Sequence, residues 1–141
     1  MKLALNLDNL TFVLPSNPAA PARSVTMRRD DILPIELLVY SGALRAELSD
    51  EAEVSAQLNV KDTFGGTGIA SDAAFTKEGT GEDSIHIGTL DLSDSDVDSA
   101  FSSASNPAFI DAILEVKIEE GAHVQRTEPL AVRIQNSVNQ S

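Results

Sequence analysis

No cysteine occurs in the 141 residues. That absence removes disulfides, thiolate nucleophiles and the cysteine-based zinc and iron–sulfur sites. Tryptophan is absent as well, and aromatic residues make up only 4% of the chain, one Tyr and five Phe. A core can still form, because 42% of the residues are hydrophobic, but Val, Ile, Leu and Ala must build it. The shortage also counts against a sugar-binding face, which needs aromatic platforms, and Tyr40 lies in the most apolar stretch of the chain.

Basic residues are scarce too: ten against 22 acidic ones, for a net charge of -12. Such a surface repels phosphate backbones and anionic headgroups, which excludes nucleic acid and membrane surfaces as partners. No run reaches the roughly 18 apolar residues of a membrane-spanning helix. The opening MKLALNLDNLTFVLP has the look of a secretion signal, but Asp8 and Asn9 break its apolar run. Pro21 sits inside the only small-residue cleavage candidate, so export by this segment is not expected.

Motifs for catalysis are equally thin. All candidate nucleophiles are Ser or Thr, and none stands in a Gly-x-Ser-x-Gly elbow. His86 and His123 fall in separate strands without a third ligand, and His86 reads as the outward member of Ile-His-Ile. Asp30 and Asp31 follow Arg28 and Arg29 directly. Neighbours on a strand point to opposite faces, so these four form a solvated strand end with local charge compensation. GGTG at 65–68 lacks the lysine of a phosphate loop and reads as a turn. The sequence therefore predicts no catalytic, cofactor-binding or metal-ligating residue, and no enzyme.

What the chain does have is strands. LPIELLVYSG (33–42) is nearly continuous and apolar, as befits burial on both faces. AEVSAQLNVKD (52–62) alternates, with Val54, Ala56, Leu58 and Val60 on one side. SIHIGTLDL (84–92) alternates Ile85, Ile87, Thr89 or Leu90, and Leu92, with a slip at Gly88. FIDAILEVKIEEG (109–121) aligns Ile110, Ala112, Leu114, Val116 and Ile118, and HVQRTEPLAVRIQN (123–136) returns beside it as a hairpin. SVTMRR (24–29) is a further strand, and SDAAFTKEGTGED (71–83) a weak one leading into a Gly-rich loop. KLALNL and LTFVL read as a small hairpin around Asp8-Asn9 or as an arm that adds to another sheet, and PSNPAAPA (15–22), with three of the six prolines, is a spacer without regular structure.

DLSDSDVDS (91–99) poses the one real choice, between a calcium loop and a helix start. An EF-hand loop needs acids at positions 1, 3 and 5, Gly at 6 and a bidentate Glu at 12. Counted from Asp94, the first three fit, but Ser99 and Ser105 occupy the last two. A helix fits better: Ser93 caps it, the aspartates favour the positive end of its dipole, and Val97, Ala100, Phe101 and Ala104 make one apolar face. Asn106-Pro107 stops it.

The whole predicts a mainly β fold: an antiparallel β-sandwich, Ig-like or jelly-roll-like, with one short α-helix near 93–104 and an extended N-terminal arm. The expected division is an arm, hairpin and linker over 1–22 and a sandwich domain over 23–138. Unpaired in its own domain, such an arm would be an aggregation hazard; added to a neighbour's sheet, it becomes an assembly element. On that reading, removing residues 1–22 leaves the sandwich folded.

The succession SVTMRRDDILPIELLVYSG, SAQLNVKDTFGGTGIAS, IHIGTLDLSDSDVDSAF, FIDAILEVKI and RTEPLAVRIQNSV resembles phage tail-fibre and baseplate adaptor proteins, over roughly residues 1–138. The shared features are a basic–acidic–Leu-Pro-x-apolar opening, a Leu-Asp-Leu strand running into a short helix, and a hairpin ending near Asn-x-Val. The usual opening has Gly where this chain has Asp30. The resemblance implies a non-enzymatic virion structural protein, made in the host cytoplasm. Its partners would be other virion structural proteins, and it would form a homo-oligomer, with a trimer favoured. It carries over no cofactor and no site residues. The alternative is an adhesion or carbohydrate-binding β-sandwich module.

Overall fold

A computed structural model of the chain describes residues 1–61, 68–72 and 74–136. Its first strands are β1 (Lys2–Asn6), β2 (Thr11–Leu14), β3 (Asn17–Pro21), β4 (Ser24–Arg28), β5 (Ile32–Ser41), β6 (Leu44–Arg45) and β7 (Glu53–Val60). Then come β8 (Ala70–Asp72), β9 (Thr76–Glu78), β10 (Ile85–Asp91), the helix α1 (Ser95–Ser103), β11 (Phe109–Glu120), β12 (His123–Arg126) and β13 (Leu130–Gln135). One sheet has the order β3-β2-β1-β5-β10-β9, with β6 also on β5; the other runs β4-β13-β11-β7-β8, with β12 also on β11.

The expected mainly β sandwich with one short helix is present, and alternation explains it. On β11 the residues Ile110, Ala112, Leu114, Val116 and Ile118 are all buried, as their period of two requires. Val54, Ala56 and Leu58 of β7 meet Ile118, Val116 and Leu114 across the ladder. From the opposite sheet Leu3, Leu5, Ile35, Leu37 and Leu90 join them in one cluster. Each Val, Leu or Ile side chain among them, fully withdrawn from water, contributes on the order of 1.5–3 kcal/mol. The layers are not purely antiparallel as expected, because β1 runs parallel to β5 and β4 parallel to β13.

The N-terminal segment departs most from its expectation. The hairpin β1–β2 exists, but its loop is the four residues between Asn6 and Thr11 rather than Asp8-Asn9 alone. It is not an extended arm. β1 lies inside the first sheet between β2 and β5, with Leu3, Leu5 and Phe12 in the core. The proline-rich stretch is not irregular either, since Asn17–Pro21 forms the edge strand β3. An edge tolerates proline because the outward side of the strand needs no donor.

The helix forms where expected, with its cap one residue on. Asp94 rather than Ser93 is the N-cap, and its carboxylate accepts from the Asp96 N–H at 2.9 Å. Ser93 instead donates through both N–H and hydroxyl to Asp91. Val97 and Phe101 are fully buried, so the helix closes part of the core. The left-handed φ of Ser105 and Asn106 ends it, ahead of Pro107.

In β10 no slip occurs at Gly88: the ladder to β5 is unbroken from His86↔Leu37 to Asp91↔Ile32. His86, Gly88 and Leu90 therefore face inward and Ile85 and Ile87 outward, the reverse of the expectation. Gly88 is needed there, because a Cβ would lie within 2.5 Å of the Phe75 ring.

Candidate functional site

The residues flagged in the sequence are not brought together. His86 sits in the core on β10 at 2% exposure, while His123 is exposed on β12 of the other sheet. GGTG (65–68) lies outside the described residues except for Gly68. Among the described residues no group of three or more His, Cys, Asp or Glu could hold a metal ion, and no helix is long and apolar enough to cross a membrane.

Two polar clusters stand out from the solvated surface. In the first, Arg29 follows β4 and turns its guanidinium across to the helix. Its Nη2 and Nε lie 3.0 and 3.1 Å from Asp98 Oδ1, and its Nη1 donates to Asn136 Oδ1 at 3.0 Å. The same group stacks over the Phe101 ring at 4.9 Å. Local compensation by Asp30 and Asp31 is thus corrected: Arg29 pairs with an acid 69 positions away. Sequence reasoning missed this because the strand ends at Arg28, and the turn that follows re-aims the next side chain. The cluster ties α1, β4 and the end of β13 together, with its charges satisfied.

The second cluster centres on Lys77 of β9. Its Nζ donates to Glu47 at 2.7 Å, Asp50 at 2.6 Å and the Leu48 carbonyl at 2.9 Å, fastening the connection between β6 and β7 to the sheet edge. These hydrogen bonds hold both carboxyls below their ordinary range and raise the ammonium. Lys77 is the cross-strand partner of His86, whose Nε2 is buried without a hydrogen-bond partner. Burial, and then the Lys77 charge, push the imidazole below its usual value and keep it neutral. A sequence signal for this cluster existed only in hindsight: a lone Lys on a short strand beside a buried His.

An open groove of about 530 Å³ runs beside the helix, lined by Val60, Ile69, Asp96, Ser99, Ala100 and Ser103. It offers hydroxyls and one carboxylate on an apolar floor. The described hydroxyl bonds elsewhere are structural: Ser102 donates to the Asp98 carbonyl, Ser84 to the Gly81 carbonyl and Ser41 to Asp8. The chemistry this arrangement supports is fastening: ion pairs and hydrogen bonds spent on joining strands, loops and helix. A scan against protein-family models finds no match for the chain, and no curated protein matches it.

Proposed function

We propose that the chain is a non-enzymatic structural protein of a phage tail, an adaptor of the tail fibre or baseplate that assembles with other virion proteins. One observation carries the reading. The motif that opens the resemblance, RRDDILP, forms the turn that passes the chain from one sheet to the other. Arg29 N–H reaches the Gln135 carbonyl in the second sheet, and Asp31 O accepts from Leu92 N–H at the end of the first. Within it Asp30 adopts φ +73, a left-handed conformation natural to glycine, and Gly is the usual residue there in the proteins it resembles. The departure in sequence thus falls at a position whose backbone conformation in this chain would suit glycine.

Labelling particles and cells of the source culture with gold-conjugated antibody against this protein tests the proposal. Gold at one end of tailed particles is the expected result. Gold on the cell envelope with bare particles rejects it and favours the adhesion alternative.

A further inference from the structure

A strand edge with free backbone groups invites another strand, and β-proteins guard such edges. Most edges of this chain are guarded. β3 carries Pro18 and Pro21 in its five residues. β9 has three residues and turns the Lys77 charge to the inward-facing His86 side. β8 also has three, and β6 has two. β12 has four and runs into Thr127–Pro129, where the register against β11 changes by one residue, an irregularity that breaks further pairing.

β4 carries none of these devices. It has five residues, no proline, and β13 as its one strand partner among the described residues. Arg29 N–H donates to the Gln135 carbonyl at 2.8 Å. Backbone groups alternate in direction along a strand, so those of Val25 and Met27 also face β13 while those of Ser24, Thr26 and Arg28 face away. The Arg28 carbonyl is taken by Asp31 N–H at 3.3 Å. The outward groups of Ser24 and Thr26 have no partner among the described residues.

We infer that β4 pairs with β4 of a second copy of this chain, antiparallel about a two-fold axis at Thr26, so that the two second sheets become one. The edge is complementary to itself. In that register Val25 faces Met27 of the other copy on the core side, and Ser24 faces Arg28 on the outer side, with no like charges opposed within the strand. Exposed Arg23 precedes the strand, and exposed Asp30 and Asp31 follow it. An antiparallel two-fold brings the basic end of each edge to the acidic end of the other, twice. Arg29, which stands opposite Arg23 in this register, is turned inward to Asp98, and the charge of exposed Arg28 is offset by the two aspartates that follow. Main-chain hydrogen bonds supply the affinity, as in other strand additions, and the interface is isologous. This rests on the structural reading and deepens it by naming one partner and one surface, a two-fold pair in place of the trimer that the resemblance favours.

Sedimentation velocity on the full chain, across about a hundredfold range of concentration, tests it through mass action. The expected result is a shift from monomer to dimer as concentration rises. Thr26→Pro removes only an outward N–H, so it should stay monomeric at every concentration with the wild-type melting temperature. Arg23→Asp should weaken the dimer several-fold at low salt, and adding Asp31→Arg should restore it. A wild-type chain that is monomeric throughout, or a folded Thr26→Pro variant that dimerises like wild type, overturns the inference. Should Thr26→Pro fail to melt cooperatively, the charge pair decides: an Arg23→Asp variant as dimeric as wild type overturns it. A monomeric chain alongside gold at the particle end would sink this pairing and leave the tail role standing.

Discussion

Two residues show how a polar group is tolerated inside an apolar sandwich, by opposite means. Thr127 is 5% exposed at the irregularity between β12 and β13. Its N–H donates to the Val116 carbonyl and its Oγ1 accepts from the Val116 N–H, both at 3.0 Å. A side-chain oxygen thus substitutes for the strand carbonyl that the register change displaces. Thr127→Val keeps the shape and strands the Val116 donor, which should cost about 1–3 kcal/mol; Thr127→Ser should cost much less, and chemical denaturation of the two variants compares them. His86 is tolerated by staying neutral. The unfolded chain protonates it as pH falls through about 6.5, the ordinary imidazole value, while the folded chain, with its depressed pKa, resists. The unfolded state then binds more protons, so stability is full above that pH and is lost as pH falls below it. Melting temperatures between pH 7.5 and 5.5 should fall for the wild type and stay nearly level for His86→Leu. Equal slopes would remove His86 from the account.

Elements differ in how plainly they announce themselves. β11 is legible because five apolar residues alternate on its core face, while the other face, buried Ile113 apart, carries mainly charged residues. Helix α1 is legible for the same reason at its own period, since Val97 and Phe101 are its buried pair. β10 misleads because both of its faces are partly covered. Ile85 and Ile87 are half-buried on the outer side while His86 is buried on the inner, so reading the larger apolar residues as core inverts the strand. The N-terminal strands mislead for a different reason: besides its hairpin neighbour β2, β1 pairs with β5, and no local spacing encodes a parallel pairing. The Arg29–Asp98 and Lys77–Glu47–Asp50 clusters were beyond reach on the same ground, as their members come from distant segments. This revises one expectation sharply. Removing residues 1–22 takes out an internal strand together with Leu3, Leu5 and Phe12, side chains whose loss costs several kcal/mol each in a packed core. The truncated chain should show no cooperative thermal transition by circular dichroism; a stable, cooperative truncation would return the segment to the status of an arm.

For the molecule as a whole, the feature with the widest reach is the parallel pairing of β4 with β13. Their neighbouring residues Arg29 and Asn136 are bonded across 107 positions of sequence. A chain emerging from a ribosome can assemble β1, β2 and β5 early, while β4 must wait until β13 has been made. Contacts at such separation also slow folding in the test tube, typically to milliseconds or longer for β-rich domains. Stopped-flow refolding should therefore show the Arg29–Asp98–Asn136 cluster forming late. In that case Arg29→Met accelerates unfolding and hardly changes the folding rate, whereas an equal slowing of folding would place the cluster in the nucleus. The interval matters for the order of events in making the protein. For as long as β13 is unmade, β4 has two open sides instead of one, and crowded nascent chains can cross-pair before any of them is finished.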